Sequence, residues 1–117
     1  MPTVSTHVLD TARGHPAQGV PVTLDVLDDG AWQRVGTAVT GPDGRVTTLP
    51  AAGAAGLVPC RLVFAVREYL VRTHGAAFFG EITVAFEAGP GEHYHVPLLL
   101  APFGYSTYRG SSGARED

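Results

Sequence analysis

Short runs of alternating apolar and polar residues, each closed by a turn rich in glycine or proline, are the feature that most constrains the fold of this chain. Side chains of a β-strand alternate between two faces, so such runs predict half-buried strands. Many short strands separated by turns are typical of an all-β sandwich, with helix as a minor element. A chain of 117 residues is long enough for one domain of ordinary size with its own core.

The sequence predicts eight extended segments: Val4–Asp10, Val20–Leu27, Trp32–Val39, a run that starts at Arg45, Arg61–Val66, Phe78–Glu87, His93–Leu100 and Tyr105–Arg109. Asp28-Asp29-Gly30 is a strong hairpin turn signal between the second and third segments. Loops are predicted at Thr11–Gly19 and Ala51–Gly56. One short helix is predicted at Arg67–His74, with Gly75 as its C-terminal cap.

Composition and charge exclude several classes of function. The formal net charge is -3, and all eight basic residues are arginines that are scattered along the chain, which argues against a nucleic-acid partner. Cys60 is the one cysteine, so no intramolecular disulfide can form. No signal peptide is visible, and the uncharged stretch 46–60 is too short and too interrupted to span a membrane. We therefore expect a cytoplasmic protein with no membrane partner.

Strand parity groups the polar residues of the first strand and of the segment His93–Leu100. Thr6 and Val8 share one face of the first strand, and Tyr94, Val96 and Leu98 share one face of the later segment, as expected of residues inside a sandwich. The opposite face would then carry these side chains outward: His7, Leu9, His95, Pro97 and Leu99. A face that is both apolar and histidine-bearing usually meets a ligand or another subunit. The pattern thus predicts a site on a sheet face, at a subunit interface.

Four motifs along nearly the whole chain resemble one known family. They are the segment from Ser5 to Gly14, Asp43-Gly44-Arg45, the segment from His93 to Leu100, and Tyr108-Arg109-Gly110-Ser111. In order and spacing they resemble the transthyretin-like 5-hydroxyisourate hydrolases, whose non-catalytic relatives are the hormone carriers called transthyretins. The last motif separates the hydrolases from the carriers.

The resemblance implies a transthyretin-like β-sandwich of about eight strands in two sheets with one short helix. It also implies a homotetramer whose sites lie in a channel where two dimers meet. By the same resemblance, residues 1–111 form the hydrolase domain and residues 112–117 are a polar C-terminal tail. The implied reaction opens the ring of 5-hydroxyisourate in urate degradation, with no metal and no cofactor.

The resemblance assigns roles to seven residues of this sequence. His7, His95 and Arg45 are the catalytic candidates, and the substrate-binding candidates are His7, Arg45, Tyr108, Arg109, Gly110 and Ser111. Imidazoles titrate near neutral pH and suit an acid and a base, with His95 favoured as the base for water and His7 as its partner. The guanidinium of Arg45 offers a planar pair of donors to imide-like oxygens, and the phenol of Tyr108 would hold the ring.

Other interpretations of the same residues stay open at this point. His7 taken alone fits an exposed strand histidine, and Arg45 after an Asp-Gly turn fits a solvated side chain. His93 and His95 have the spacing of two zinc ligands on one strand face, although no nearby motif supplies a third and a fourth ligand. As a whole, the chain could instead be a non-enzymatic carrier of small aromatic ligands or a general β-sandwich interaction module.

Overall fold

The computed structural model describes residues 1–52 and 56–111 as a sandwich of two β-sheets with one helix. Its strands and helix are, in chain order: β1 Thr3–Asp10, β2 His15–Pro16, β3 Pro21–Asp28, β4 Ala31–Val39, β5 Arg45–Pro50, β6 Val58–Ala65, α1 Arg67–His74, β7 Glu81–Ala88, β8 His93–His95, β9 Leu98–Ala101 and β10 Gly104–Thr107. No helix within these described ranges has the length and apolar character needed to cross a membrane. The predicted all-β sandwich with a single short helix is confirmed.

The first sheet is organised around β1, which pairs with four other strands. β2 and β5 pair with it in antiparallel fashion, β8 and β9 pair with it in parallel, and β10 extends the sheet from β9. The second sheet has the order β4-β3-β6-β7, and its neighbouring strands are all antiparallel. Since β1 is central to the first sheet, its side chains lie close to those of β5 on one side and β8 on the other.

The two sheets enclose a core of aliphatic and aromatic side chains. Val4 and Val8 of β1, Leu24 of β3, and Leu62 and Phe64 of β6 are fully buried. Thr6, Tyr94, Val96 and Leu98 are also buried, which confirms the predicted interior face. His7, Leu9, His95 and Leu99 are half-buried.

The predicted continuous strand His93–Leu100 is wrong, because the structure divides it into β8 and β9 on either side of Val96 and Pro97. Proline has no backbone N–H to continue a strand ladder. The Val96 N–H donates to Ser5 O at 2.9 Å, and the Thr6 hydroxyl donates to Val96 O at 2.6 Å, so the break stays attached to β1. Pro97 itself is buried, not outward as parity predicted.

Several boundaries also differ from the prediction. The short strand β2 lies in the predicted loop 11–19, and together with the division at Pro97 it explains why the described part of the chain has ten strands instead of about eight. The last predicted strand ends two residues early, at Thr107, and the segment predicted to begin at Phe78 begins at Glu81.

The predicted hairpin turn and the predicted helix are confirmed. Asp29 and Gly30 have φ angles of 53° and 78°, as a two-residue hairpin turn between β3 and β4 requires. The helix has the predicted bounds, and Gly75 caps it in the left-handed region with its N–H bonded to Val71 O at 2.9 Å.

Candidate active site

The parallel pairing of β1 with β8 places both histidines of the His-Tyr-His segment beside hydroxyl side chains of β1. Thr3 is the register partner of His93, and Ser5 is the partner of His95. The Ser5 hydroxyl lies 2.8 Å from His95 Nδ1 and 2.9 Å from His93 Nε2. The Thr3 hydroxyl lies 2.7 Å from His93 Nδ1. Both rings are therefore held in fixed orientations by side chains of the neighbouring strand.

On the other side of β1, the register with β5 places His7 opposite Arg45. His7 Nε2 donates a hydrogen bond of 2.8 Å to the carbonyl oxygen of Asp43. Because a carbonyl can only accept, the Nε2 position of His7 carries a proton, and the lone pair of its neutral form lies on Nδ1. His7 can therefore accept a proton only through Nδ1.

The turn before β5 orients the Arg45 side chain. The Asp43 carboxylate accepts the backbone N–H of Arg45 at 3.0 Å and lies 3.8 Å from its Nε. Gly44 has a φ angle of 79°, and a Cβ there would collide with the carbonyl oxygen of Val8. The Asp-Gly-Arg motif is thus explained by a left-handed residue packed against β1, with the arginine delivered beside it.

A cavity of about 510 Å³ lies over this part of the sheet. Its lining combines a guanidinium, two imidazoles and several hydroxyls: Ser5, Thr6, Arg45, Val46, Thr47, Thr48, His93 and His95. A permanent cation next to two imidazoles can hold a polar, electron-rich ring and move protons to and from it. His7 lies beside this cavity through its register with Arg45.

The C-terminal motif is divided between two places. Gly110 packs on the ring of His95, and its N–H donates to His95 O at 2.7 Å. Tyr108 and Arg109 instead line a second cavity of about 260 Å³ together with Tyr94. The guanidinium of Arg109 lies 4.5 Å from the centre of the Tyr94 ring. Ser111 is exposed at the end of the described segment. A single chain therefore brings His95, Arg45 and Gly110 together, but leaves Tyr108 and Arg109 at a different cavity.

The sequence patterns did not single out Thr3 or Ser5 as site residues, and they identified His93 only as a possible zinc ligand. Both ring nitrogens of His93 are bonded to hydroxyl groups instead. Among residues 1–52 and 56–111, no group of three or more His, Cys, Asp or Glu side chains is placed to hold a metal ion. The signal that could have found Ser5 was parity, since it shares a strand face with His7.

A buried carboxylate outside the cavity was also missed. Asp10 is 1% exposed, and it accepts hydrogen bonds from the Tyr69 hydroxyl at 2.7 Å and from His74 Nε2 at 2.8 Å. Burial raises the pKa of Asp10, but the bonds from Tyr69, His74 and the Arg13 N–H outweigh it, so the pKa lies below its usual value. Burial, followed by the bond to Asp10, raises the pKa of Tyr69. These hydrogen bonds connect α1 to the end of β1.

Comparison with known proteins identifies the family. The profile of the HIUase/Transthyretin family matches residues 4–110. The chain belongs to this family. It is 45% identical over 116 residues to the 5-hydroxyisourate hydrolase of Mesorhizobium japonicum, a match that covers 92% of this chain and 91% of that protein.

Two solved structures of the HIUase/Transthyretin family show how widely the fold is shared. The 5-hydroxyisourate hydrolase of Klebsiella pneumoniae superposes with a TM-score of 0.80 at 34% identity, covering 95% of this chain and all (100%) of that chain. Sea bream transthyretin, solved in complex with thyroxine, superposes with a TM-score of 0.83 at 28% identity and covers 96% of this chain and 98% of that chain. Because a hydrolase and a thyroxine-binding protein share the fold equally well, the side chains of the site must decide between their functions.

Proposed function

We propose that this protein is a hydrolase that converts 5-hydroxyisourate to 2-oxo-4-hydroxy-4-carboxy-5-ureidoimidazoline in urate degradation. The observation that carries the proposal is the cavity in which Arg45 and His95 lie together, with His7 next to Arg45 on the adjoining strand. The high identity to a named 5-hydroxyisourate hydrolase over most of both chains supports the same reaction. A carrier of small ligands would have no use for imidazole rings that can exchange protons at its binding cavity.

The reaction needs a base, an acid and a group that stabilises negative charge. We assign His95 as the base that takes a proton from water while the water oxygen bonds to a ring carbonyl carbon. The carbon–nitrogen bond of the cyclic amide then breaks, and the departing nitrogen receives a proton. His7 is the partner acid or base, acting through Nδ1 because its Nε2 is bonded to the Asp43 carbonyl.

Arg45 is assigned to binding and to charge stabilisation. Its guanidinium stays charged at every working pH and presents two parallel donors to carbonyl oxygens of the substrate. The nearby Asp43 carboxylate, 3.8 Å from Nε, helps to hold the planar group in place. As negative charge develops on the attacked carbonyl oxygen, a fixed cation lowers the energy of the transition state.

We also propose that the site is completed in a homotetramer. Half-buried Leu9 and Leu99 flank the histidine-bearing face, and Tyr105 and Tyr108 are 44% and 57% exposed in the single chain. Apolar and aromatic groups in such a position favour burial against another subunit. Assembly would then allow Tyr108, Arg109, Gly110 and Ser111 to form the wall of the substrate channel. Light scattering at micromolar concentration measures the mass directly, and an active monomer would contradict this proposal.

A cytoplasmic location is part of the same proposal. Cys60 is a buried free thiol, which a reducing compartment preserves.

The decisive experiment follows the ultraviolet absorbance of freshly generated 5-hydroxyisourate with and without the protein. We expect the wild-type protein to accelerate the decay, and His95→Ala and His7→Ala each to lower turnover by roughly 10²- to 10⁴-fold. The matched control is His15→Ala, because His15 is an exposed histidine on β2, away from the cavity. A wild-type protein that binds 5-hydroxyisourate without accelerating its decay would be a carrier.

A further inference from the structure

Four side chains of β1 and β8 form one continuous chain of hydrogen bonds that ends at His95. It runs from the Thr3 hydroxyl to His93 Nδ1 at 2.7 Å, from His93 Nε2 to the Ser5 hydroxyl at 2.9 Å, and from Ser5 to His95 Nδ1 at 2.8 Å. The parallel register that pairs Thr3 with His93 and Ser5 with His95 sets this geometry. The chain is therefore built into the backbone pairing of the sheet.

Ser5 is the central link, and it is shielded from water. Its exposure is 8%, while the two histidines are half-buried and line the cavity beside it. A buried hydroxyl keeps its protein partners, because exchanging them for water would require opening the packing around it. Ser5 therefore couples the two imidazoles directly.

The number of protons available limits the directions in which these hydrogen bonds can be donated. A serine hydroxyl has one proton to donate, so at least one of the two ring nitrogens next to Ser5 must donate to it. In one polarity His95 Nδ1–H donates to Ser5, Ser5 donates to His93 Nε2, and His93 Nδ1–H donates to Thr3. His95 then carries its lone pair on Nε2, as a base does. In the opposite polarity every donor is reversed, and His95 carries its proton on Nε2, as an acid does.

We propose that Ser5 and His93 are positioning residues that act through His95 as a proton relay, an inference that rests on the hydrolase function proposed above. When water attacks, its proton passes to His95 Nε2, the Nδ1 proton of His95 passes to Ser5, and the Ser5 proton passes to His93 Nε2. The electron pair of the broken O–H bond forms the new bond from oxygen to the carbonyl carbon. His95 is then neutral with a proton on Nε2, and His93 holds the positive charge.

The same relay returns the proton in the second half of the reaction. As the ring carbon–nitrogen bond breaks, the departing nitrogen takes the proton from His95 Nε2. The extra proton on His93 passes back through Ser5 to His95 Nδ1, and the starting polarity is restored. No proton is gained or lost over the cycle. His95 serves in turn as base and as acid, and its partner His7, through Nδ1, orients the water and the departing nitrogen.

The hydrogen-bond partners of the two rings favour this transfer. Arg45 from β5 lines the same cavity as both rings, so its charge does not distinguish between them. Asp43 is paired with Arg45, and Glu92, which precedes His93, is paired with Arg109 at 3.3 Å. His7, two residues after Ser5, is bonded to the Asp43 carbonyl. The relay moves the charge from the ring that works on the substrate to a ring held by two hydroxyls.

The test uses Ser5→Ala, Ser5→Thr and His93→Asn in the full chain. We expect Ser5→Ala and His93→Asn to lower kcat by roughly 10- to 100-fold with KM within about twofold of wild type, because Arg45, the group assigned to binding, is unchanged. Ser5→Thr keeps the hydroxyl and should recover most of the kcat. The matched control is Thr23→Val, which removes a buried hydroxyl from the second sheet. This hydroxyl has no hydrogen-bond partner among the described residues, so its loss should leave kcat unchanged.

Histidine ring ¹⁵N NMR gives a second measurement that does not depend on activity. In the wild-type protein the ring ¹⁵N shifts should show a hydrogen bond at His93 Nε2 and at His95 Nδ1. In Ser5→Ala the chemical shift of His95 Nδ1 should lose its hydrogen-bonded value. A wild-type protein in which neither nitrogen shows a hydrogen-bonded shift would overturn the relay.

Failure of the relay and failure of the hydrolase function give different results. A wild-type protein that accelerates 5-hydroxyisourate decay, together with a Ser5→Ala variant of equal kcat, would overturn the relay and leave the hydrolase standing. A different outcome is that Ser5→Ala loses kcat and raises KM, and that Ser5→Thr does not recover the kcat. Ser5 would then have only a packing role, and the relay would also be overturned. A wild-type protein that does not accelerate the decay would overturn the proposed function itself.

Discussion

Gly110 lies directly against the imidazole of His95. A Cβ at position 110 would stand 2.6 Å from His95 Cδ2 and 3.2 Å from Cγ, while the Gly110 N–H donates to His95 O at 2.7 Å. The φ angle of Gly110 is not in the left-handed region, so its backbone does not require glycine. Glycine is required because the His95 ring occupies the space where a Cβ would lie. This contact connects the C-terminal motif to the candidate base.

Gly110→Ala should therefore impair catalysis by displacing His95. Even the smallest side chain would push the ring, and a misplacement of about 1 Å at a reacting group can cost on the order of 10²-fold in rate. We expect kcat in the 5-hydroxyisourate assay to fall by roughly that factor. Gly104→Ala is the matched control, because a Cβ there would meet no atom within 4 Å. Equal activity of Gly110→Ala and wild type would mean that the contact does not position His95.

Arg45→Lys should lose activity although the charge is kept. An ammonium group cannot present two parallel donors to carbonyl oxygens, and one hydrogen bond to a charged group is worth about 1.5–3 kcal/mol. We expect kcat/KM to fall by roughly 10- to 100-fold. Arg34→Lys is the control, because Arg34 is an exposed arginine that pairs with Asp25 in the other sheet. If both variants match wild type, Arg45 is only a solvated turn residue.

Deleting residues 112–117 should leave activity and assembly unchanged. The segment reads Ser-Gly-Ala-Arg-Glu-Asp, and its composition offers little apolar surface to bury. It lies outside the described residues, so it remains a prediction from sequence. Removing residues 108–111 as well should abolish turnover, because Tyr108 and the packing of Gly110 on His95 are lost. A loss of activity in the shorter deletion would place the tail in the site and contradict the boundary at residue 111.

Much of the fold could be predicted because local rules decided it. The Asp29-Gly30 turn and the Gly75 cap each depend on a left-handed residue that the sequence supplies, and both were placed correctly. Strand parity also correctly predicted the buried residues Thr6, Tyr94, Val96 and Leu98. It failed at Pro97, because a missing N–H interrupts the strand and ends the simple alternation.

The candidate site was harder to predict because it depends on long-range pairing. Ser5 and His95 are 90 residues apart, and only the parallel register of β1 and β8 shows that they share a hydrogen bond. Asp10 and His74 meet because α1 packs back onto the end of β1, which no local pattern shows. Tyr108 was expected at the site of His95, but in the single chain it lines the other cavity.

Asp10→Asn tests the buried cluster beneath the helix. The lowered pKa of Asp10 means that its folded form binds a proton less readily than the unfolded chain. Its stabilising contribution is complete above the ordinary carboxyl pKa of 3.8 and is lost as the pH falls through the lower, folded value. Asp10→Asn should therefore reduce the free energy of unfolding at pH 7 by about 1–3 kcal/mol, the cost of leaving a buried hydrogen-bonding group poorly paired.

The difference between Asp10→Asn and wild type should narrow below pH 3.8, because the unfolded wild-type chain then binds a proton at Asp10 that the folded carboxyl, with its lower pKa, does not yet bind. Thermal unfolding followed by circular dichroism from pH 7 down to pH 3, at one fixed protein concentration, measures this difference. Asp28→Asn is the control, since Asp28 is exposed at the end of β3 and should shift the melting temperature very little. If the difference in stability between Asp10→Asn and wild type stays constant across this range, the charge of Asp10 does not stabilise the cluster. The hydrogen bonds to Tyr69 and His74 would then stabilise it equally well with a neutral side chain.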